Sequence, residues 1–93
     1  MTRSVTRVKR EIVRTVKTYL GTVEATKGKH NKQRVVGELF EYLIKNIWFV
    51  NSHTKFKKTV RNKLIEFHIN NDWSDAKSTY MRMFGEEIPT EYV

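Results

Sequence analysis

A chain of 93 residues with 30% charged side chains, 12% aromatic side chains and a net charge of +8 has the composition of a small, folded, basic domain. It contains no cysteine, which excludes a disulfide framework and a thiolate zinc site and fits a reducing compartment such as the cytoplasm. Its longest apolar run has four residues, Ile47 to Val50, and a membrane-spanning helix needs roughly 20. We therefore expect one domain over residues 1–93, without a membrane segment.

The positive charge is concentrated in the N-terminal third of the chain. Residues 1–36 contain ten Lys and Arg against two Glu, a balance of +8, whereas residues 37–93 contain eight side chains of each sign. Within this neutral remainder, residues 55–63 form a second basic cluster, and residues 64–93 contain six acidic side chains against two basic ones. Such a polarised distribution favours an anion-binding side of the molecule.

A first helix is predicted from residue 3 or 4 to Leu20, with two faces of different character. Apolar residues recur at helical spacing from Val5 to Tyr19, and on nearly the opposite side basic residues recur at steps of four, three, four and three. This basic stripe comprises Arg3, Arg7, Arg10, Arg14 and Lys17. Gly21 is at the position expected for the end of this helix. The apolar residues of 21–32 show no helical or strand spacing, so this segment is expected to form a mobile basic loop.

A second helix is predicted from about Asn31 to Val50 and is expected to lie at the centre of the core. Its apolar residues cover well over half of its circumference, which is typical of a helix with neighbours on both sides. Trp48 falls on its polar side, where we expect another element to cover the indole. An exposed Trp48 would instead be an anchor for a protein partner or a surface on which a base could stack.

Two further helices complete an all-α, four-helix domain. The third is predicted from Thr54 to about Ile69, and the fourth follows Asp72, its expected cap, and ends at Gly85. Pro89 then predicts an extended C-terminal tail. The polar break before Thr54 also has the outline of a helix-turn-helix, although the preceding helix is too long and the break lacks the usual glycine.

The basic residues are the candidate functional residues. A ridge of fixed positive charge backed by an apolar face suits a polyanion, and nucleic acid is the commonest polyanion that a small basic protein meets. We therefore expect a non-catalytic, regulatory nucleic-acid-binding protein that contacts mainly phosphates of RNA or DNA and needs no cofactor. The expected contacts are Arg3, Arg7, Arg10, Arg14, Lys17, Lys27, Lys29, Lys32, Lys55, Lys57, Lys58 and Arg61.

Two alternatives to nucleic-acid binding stay open. A small regulatory or inhibitory protein would dock its basic face on an acidic protein such as a nucleic-acid enzyme, with Trp48 or Phe49 as the anchor. Under either function, a monomer or a homodimer is expected. The stripe is also compatible with an ordinary solvated face. Enzymatic activity and a metal site are not expected, because the chain lacks a recognisable activated nucleophile and its three histidines lack metal-ligand spacing.

Overall fold

The computed structural model describes residues 5–92, which form five α-helices. The helices are α1 (Val5–Ala25), α2 (Lys29–Lys45), α3 (Ile47–Ser52), α4 (Thr54–Asn71) and α5 (Ala76–Phe84), and a short 3₁₀ turn follows at Thr90–Tyr92. No strand occurs in this part of the chain, so the all-α fold class is confirmed. None of the described helices has the length and apolar character needed to cross a bilayer.

The second long helix, α2, is central, as predicted. It packs against each of the other four helices. Phe40 and Leu43 of α2 are almost fully buried, and the Phe40 ring lies 5.1 Å from the Trp73 ring and 6.3 Å from the Phe67 ring, centroid to centroid. Because these rings come from α4 and from the segment before α5, the core is built around α2.

The prediction that the first helix ends near Gly21 and is followed by a mobile loop over residues 21–32 is wrong. Helix α1 continues to Ala25, and Gly28, at a φ of 91°, turns the chain into α2. The physical reason is the burial of Val23 in the core. Burying a Val side chain contributes about 1.5–3 kcal/mol, which outweighs the cost of about 1 kcal/mol for a glycine inside a helix.

The prediction of one continuous helix over residues 31–50 is also wrong, because the helix breaks at Asn46. The Asn46 side-chain amide donates a hydrogen bond to the Tyr42 carbonyl oxygen at 2.9 Å, and its backbone N–H lies near the same oxygen at 3.2 Å. An Asn side chain that binds nearby backbone competes with helical hydrogen bonding. The six residues that follow form the separate helix α3, which buries Phe49.

Helices α4 and α5 pack together, and the predicted end of α5 at Gly85 is correct. Asp72, however, does not cap α5: it adopts the left-handed conformation at a φ of 49° and ends α4, a conformation that Asp tolerates better than most residues. The cap position of α5 belongs to Asp75, whose side chain makes no capping hydrogen bond. The tail packs through Ile88, which is buried in the core.

A candidate basic groove between α1 and α3

The exposed face of α1 presents a row of cations. This basic ridge consists of Arg7, Arg10, Arg14 and Lys17, all of them exposed. The opposite face buries Ile12 and Val16. At a rise of about 1.5 Å per residue, the ridge extends about 15 Å along the helix axis. Arg3, the remaining member of the predicted stripe, lies outside the described residues.

Most of the ridge is not used in ion pairs by the fold. The ion pairs described in residues 5–92 join Lys29 to Asp72, Lys63 to Glu66 and Arg82 to Glu41. None of them involves Arg10, Arg14 or Lys17. Within the described part of the chain, no carboxylate forms an ion pair with these three side chains.

A groove of about 540 Å³ runs beside the ridge, between α1 and the residues of α3 and its end. Its lining comprises Thr6, Lys9, Arg10, Val13, Arg14, Lys17, Phe49 and His53. Val13 and Phe49 give it an apolar floor, and the Lys and Arg side chains give it a positively charged rim. We name it the basic groove. It offers a ligand both fixed positive charge and apolar contact, which the ridge alone does not.

Aromatic rings pack together at the α3 side of the basic groove. The Phe49 ring lies 4.3 Å from the His53 ring at an interplanar angle of 31°, and 5.0 Å from the Phe56 ring. Nδ1 of His53 lies 3.0 Å from the Phe49 carbonyl oxygen, to which it donates in the matching tautomer. Phe49 is only 2% exposed. It is thus a core residue that supports the groove floor, and the expectation that Phe49 could itself insert into a partner is wrong.

Trp48 is 47% exposed, so the expectation that another element covers its indole is wrong. Helix α3 buries the next two residues, Phe49 and Val50, which leaves Trp48 on nearly the opposite side of this short helix. Its ring forms a T-shaped contact with the Phe49 ring, with 5.8 Å between the ring centroids and an interplanar angle of 74°. The groove floor and an exposed indole are therefore neighbours.

The remaining predicted phosphate contacts do not line the basic groove. They are Lys27, Lys29, Lys32, Lys55, Lys57, Lys58 and Arg61. Lys29 is held by Asp72, with 3.3 Å between Nζ and Oδ2. Lys55 and Lys58 are exposed on α4, whereas Lys57 is half-buried.

Arg61 has a structural role that its sequence position did not reveal. Its Nε–H donates a hydrogen bond of 2.6 Å to the hydroxyl oxygen of Tyr80, and its guanidinium carbon lies 5.9 Å from the centre of that ring. Tyr80 is fully buried. The hydrogen bond with Tyr80 raises the pKa of Arg61 from its ordinary value. Arg61 therefore ties α4 to α5 and is less available to a phosphate than the ridge is.

Sequence reasoning missed four groove residues, Thr6, Lys9, Val13 and His53. On a helical wheel Lys9 and Val13 fall between the apolar face of α1 and the basic stripe, and this flank of the helix could have been recognised as the edge of a groove. His53 lies in the turn after α3, and no sequence pattern connects it to α1. In residues 5–92, no three His, Asp or Glu side chains come together in a way that could hold a metal ion.

Comparison with known proteins shows a partial similarity to Exportin-1. A segment of 59 residues, 63% of this chain, is 41% identical to Exportin-1 of Drosophila melanogaster and to Exportin-1 of Schizosaccharomyces pombe. The matched segment covers 6% of the length of each of these relatives. No protein-family model matches the sequence, and no solved structure matches it. The similarity therefore concerns one short segment of much longer proteins.

Proposed function

We propose that this protein binds nucleic acid without catalysing a reaction, and that its basic ridge contacts the phosphate backbone. The observation that carries the proposal is the exposure of Arg10, Arg14 and Lys17 along one side of α1, outside every ion pair described for residues 5–92. A guanidinium group binds a phosphate through two parallel hydrogen bonds, and an ammonium group binds it as a point charge.

The spacing and the overall charge support the same proposal. Successive ridge residues are three or four positions apart, which corresponds to about 4.5–6 Å along the helix axis. A row of cations at this spacing can contact consecutive phosphates of a strand. The net charge of +8 adds a long-range field that attracts polyanions and accelerates their association. Phosphate contacts position a protein and do not read bases, so we expect weak sequence specificity.

A direct binding measurement tests the proposal. Fluorescence anisotropy of labelled oligonucleotides of several unrelated sequences, at about 50 mM salt, should show binding with similar dissociation constants for all of them. Binding to one sequence only would contradict backbone recognition. The absence of binding to every oligonucleotide would refute the proposed function.

A second candidate is a regulatory protein that binds an acidic segment of another protein. It is favoured by the apolar floor of the basic groove and by the half-exposed Trp48, because Trp and Arg side chains are enriched among the dominant contacts of protein interfaces. Under this alternative, an acidic polypeptide such as polyglutamate would bind more tightly than any oligonucleotide at the same salt concentration. The same anisotropy measurement, with polyglutamate as a competitor, separates the two candidates.

A further inference from the structure

Three features suited to different parts of a nucleotide are connected through Phe49, which lines the basic groove beside the ridge and contacts Trp48. The basic ridge borders the basic groove, Phe49 supplies part of the groove floor, and the indole of Trp48 packs on Phe49 and is 47% exposed. The ridge can hold phosphates. The groove and the indole offer apolar and aromatic surface, which a phosphate does not use.

This combination discriminates between duplex and single-stranded nucleic acid. A duplex presents phosphates and the polar edges of its bases, while the faces of the bases are stacked inside. The phosphates of a duplex could bind the ridge, but a duplex has no exposed base face to contact Trp48 or the apolar floor of the basic groove. In a single strand, bases are free to stack on aromatic side chains while the backbone follows a row of cations.

We infer that the ridge, the basic groove and Trp48 together bind single-stranded nucleic acid, with phosphates on the ridge and at least one base stacked on the Trp48 indole. This inference rests on the proposed function and narrows its ligand from nucleic acid in general to a single strand. The basic groove of about 540 Å³ lies beside the ridge and adds apolar contact to its charge.

Trp48 supplies its own spectroscopic signal. The chain has two tryptophans, and the other, Trp73, is buried in the core with 4% exposure. A base that stacks on Trp48 should therefore quench intrinsic fluorescence without a contribution from direct contact at Trp73. The probes are short unlabelled single strands of DNA and of RNA, and duplexes of the same sequences, at about 50 mM salt.

We expect either single strand to quench the fluorescence and to bind more tightly than the duplex. Trp48→Ala should weaken single-strand binding about 5- to 150-fold, the equivalent of one lost base–aromatic contact, and should leave duplex binding nearly unchanged. Trp48→Phe should keep most of the affinity and abolish the quenching. Ile69→Ala is the matched control, because Ile69 is an apolar side chain on α4 that is 55% exposed. This substitution should change neither the single-strand affinity nor the fluorescence quenching.

The possible failures are distinguishable. Equal affinities for single strand and duplex, without quenching and without an effect of Trp48→Ala, would overturn the single-strand inference and leave the phosphate-binding function intact. No binding of either form would refute both. Binding of polyglutamate with quenching, and no binding of any nucleic acid, would also overturn both, and would assign the basic groove to an acidic protein partner.

Discussion

The basic ridge can be removed with little expected effect on the fold. Replacing Arg10, Arg14 and Lys17 together with Gln takes away three exposed cations that belong to none of the ion pairs described in residues 5–92. Gln has nearly the same helix propensity as Arg and Lys, and the buried face of α1 is unchanged. The free energy of unfolding should therefore change by less than about 0.5 kcal/mol.

Nucleic-acid binding should respond strongly to the same change. Each lost phosphate contact reduces the slope of log affinity against log salt by about 0.7 for a single strand and about 0.9 for a duplex. Three lost contacts flatten the slope by about 2.1 or 2.7. If the affinity extrapolated to 1 M salt is unchanged, the triple variant should bind a single strand about 100-fold more weakly at 0.1 M salt. Anisotropy titrations at several salt concentrations measure both quantities.

A matched control separates the ridge from the total charge. Arg34, Lys45 and Lys77 are exposed, belong to none of the described ion pairs and do not line the basic groove. Replacing these three with Gln removes the same charge from elsewhere and should change the salt slope much less than the ridge variant does. If the two triple variants weaken binding equally, the ridge is only a solvated charged face, and the reasoning from its position is refuted.

Two further predictions test the fold. Phe40→Ala should destabilise the protein by about 3–5 kcal/mol, because the Phe40 ring is buried against Phe67 and Trp73. Glu41→Ala breaks an exposed ion pair and should cost less than about 1 kcal/mol. Chemical denaturation of both variants measures the two free energies. Gly21→Ala should stabilise by about 1 kcal/mol, because Gly21 lies inside α1 and an added Cβ meets nothing within 4 Å. A lower melting temperature for Gly21→Ala would contradict a helix that continues to Ala25.

The features predicted correctly from the sequence are those that depend on local periodicity. Phe40 and Leu43 belong to an apolar pattern that covers most of the circumference of α2. A helix with such a pattern must be covered by several neighbouring elements, whatever their identity. Gly85 ends α5 in the left-handed conformation, which costs glycine less than any other residue. In these cases each residue's own chemistry decides the outcome, so the sequence suffices.

The features that the sequence did not reveal depend on contacts between distant segments. Gly21 predicts a helix end, whereas α1 continues to Ala25 because Val23 is buried in the core. Trp48 lies on the polar side of its helix, and only the packing of the other elements decides that its side chain is 47% exposed. The basic ridge was visible as a pattern, whereas the basic groove exists only because α3 and His53 lie beside α1.

The salt dependence of oligonucleotide binding by the unmodified protein tests most directly whether the basic ridge binds phosphates. Three to four ridge contacts with a single strand predict that log affinity falls linearly with log salt, with a slope of about −2 to −3. The slope should be nearly the same for unrelated sequences, because the contacts are to the backbone. A slope near zero would contradict the account, since binding would then not depend on the release of counterions from phosphates.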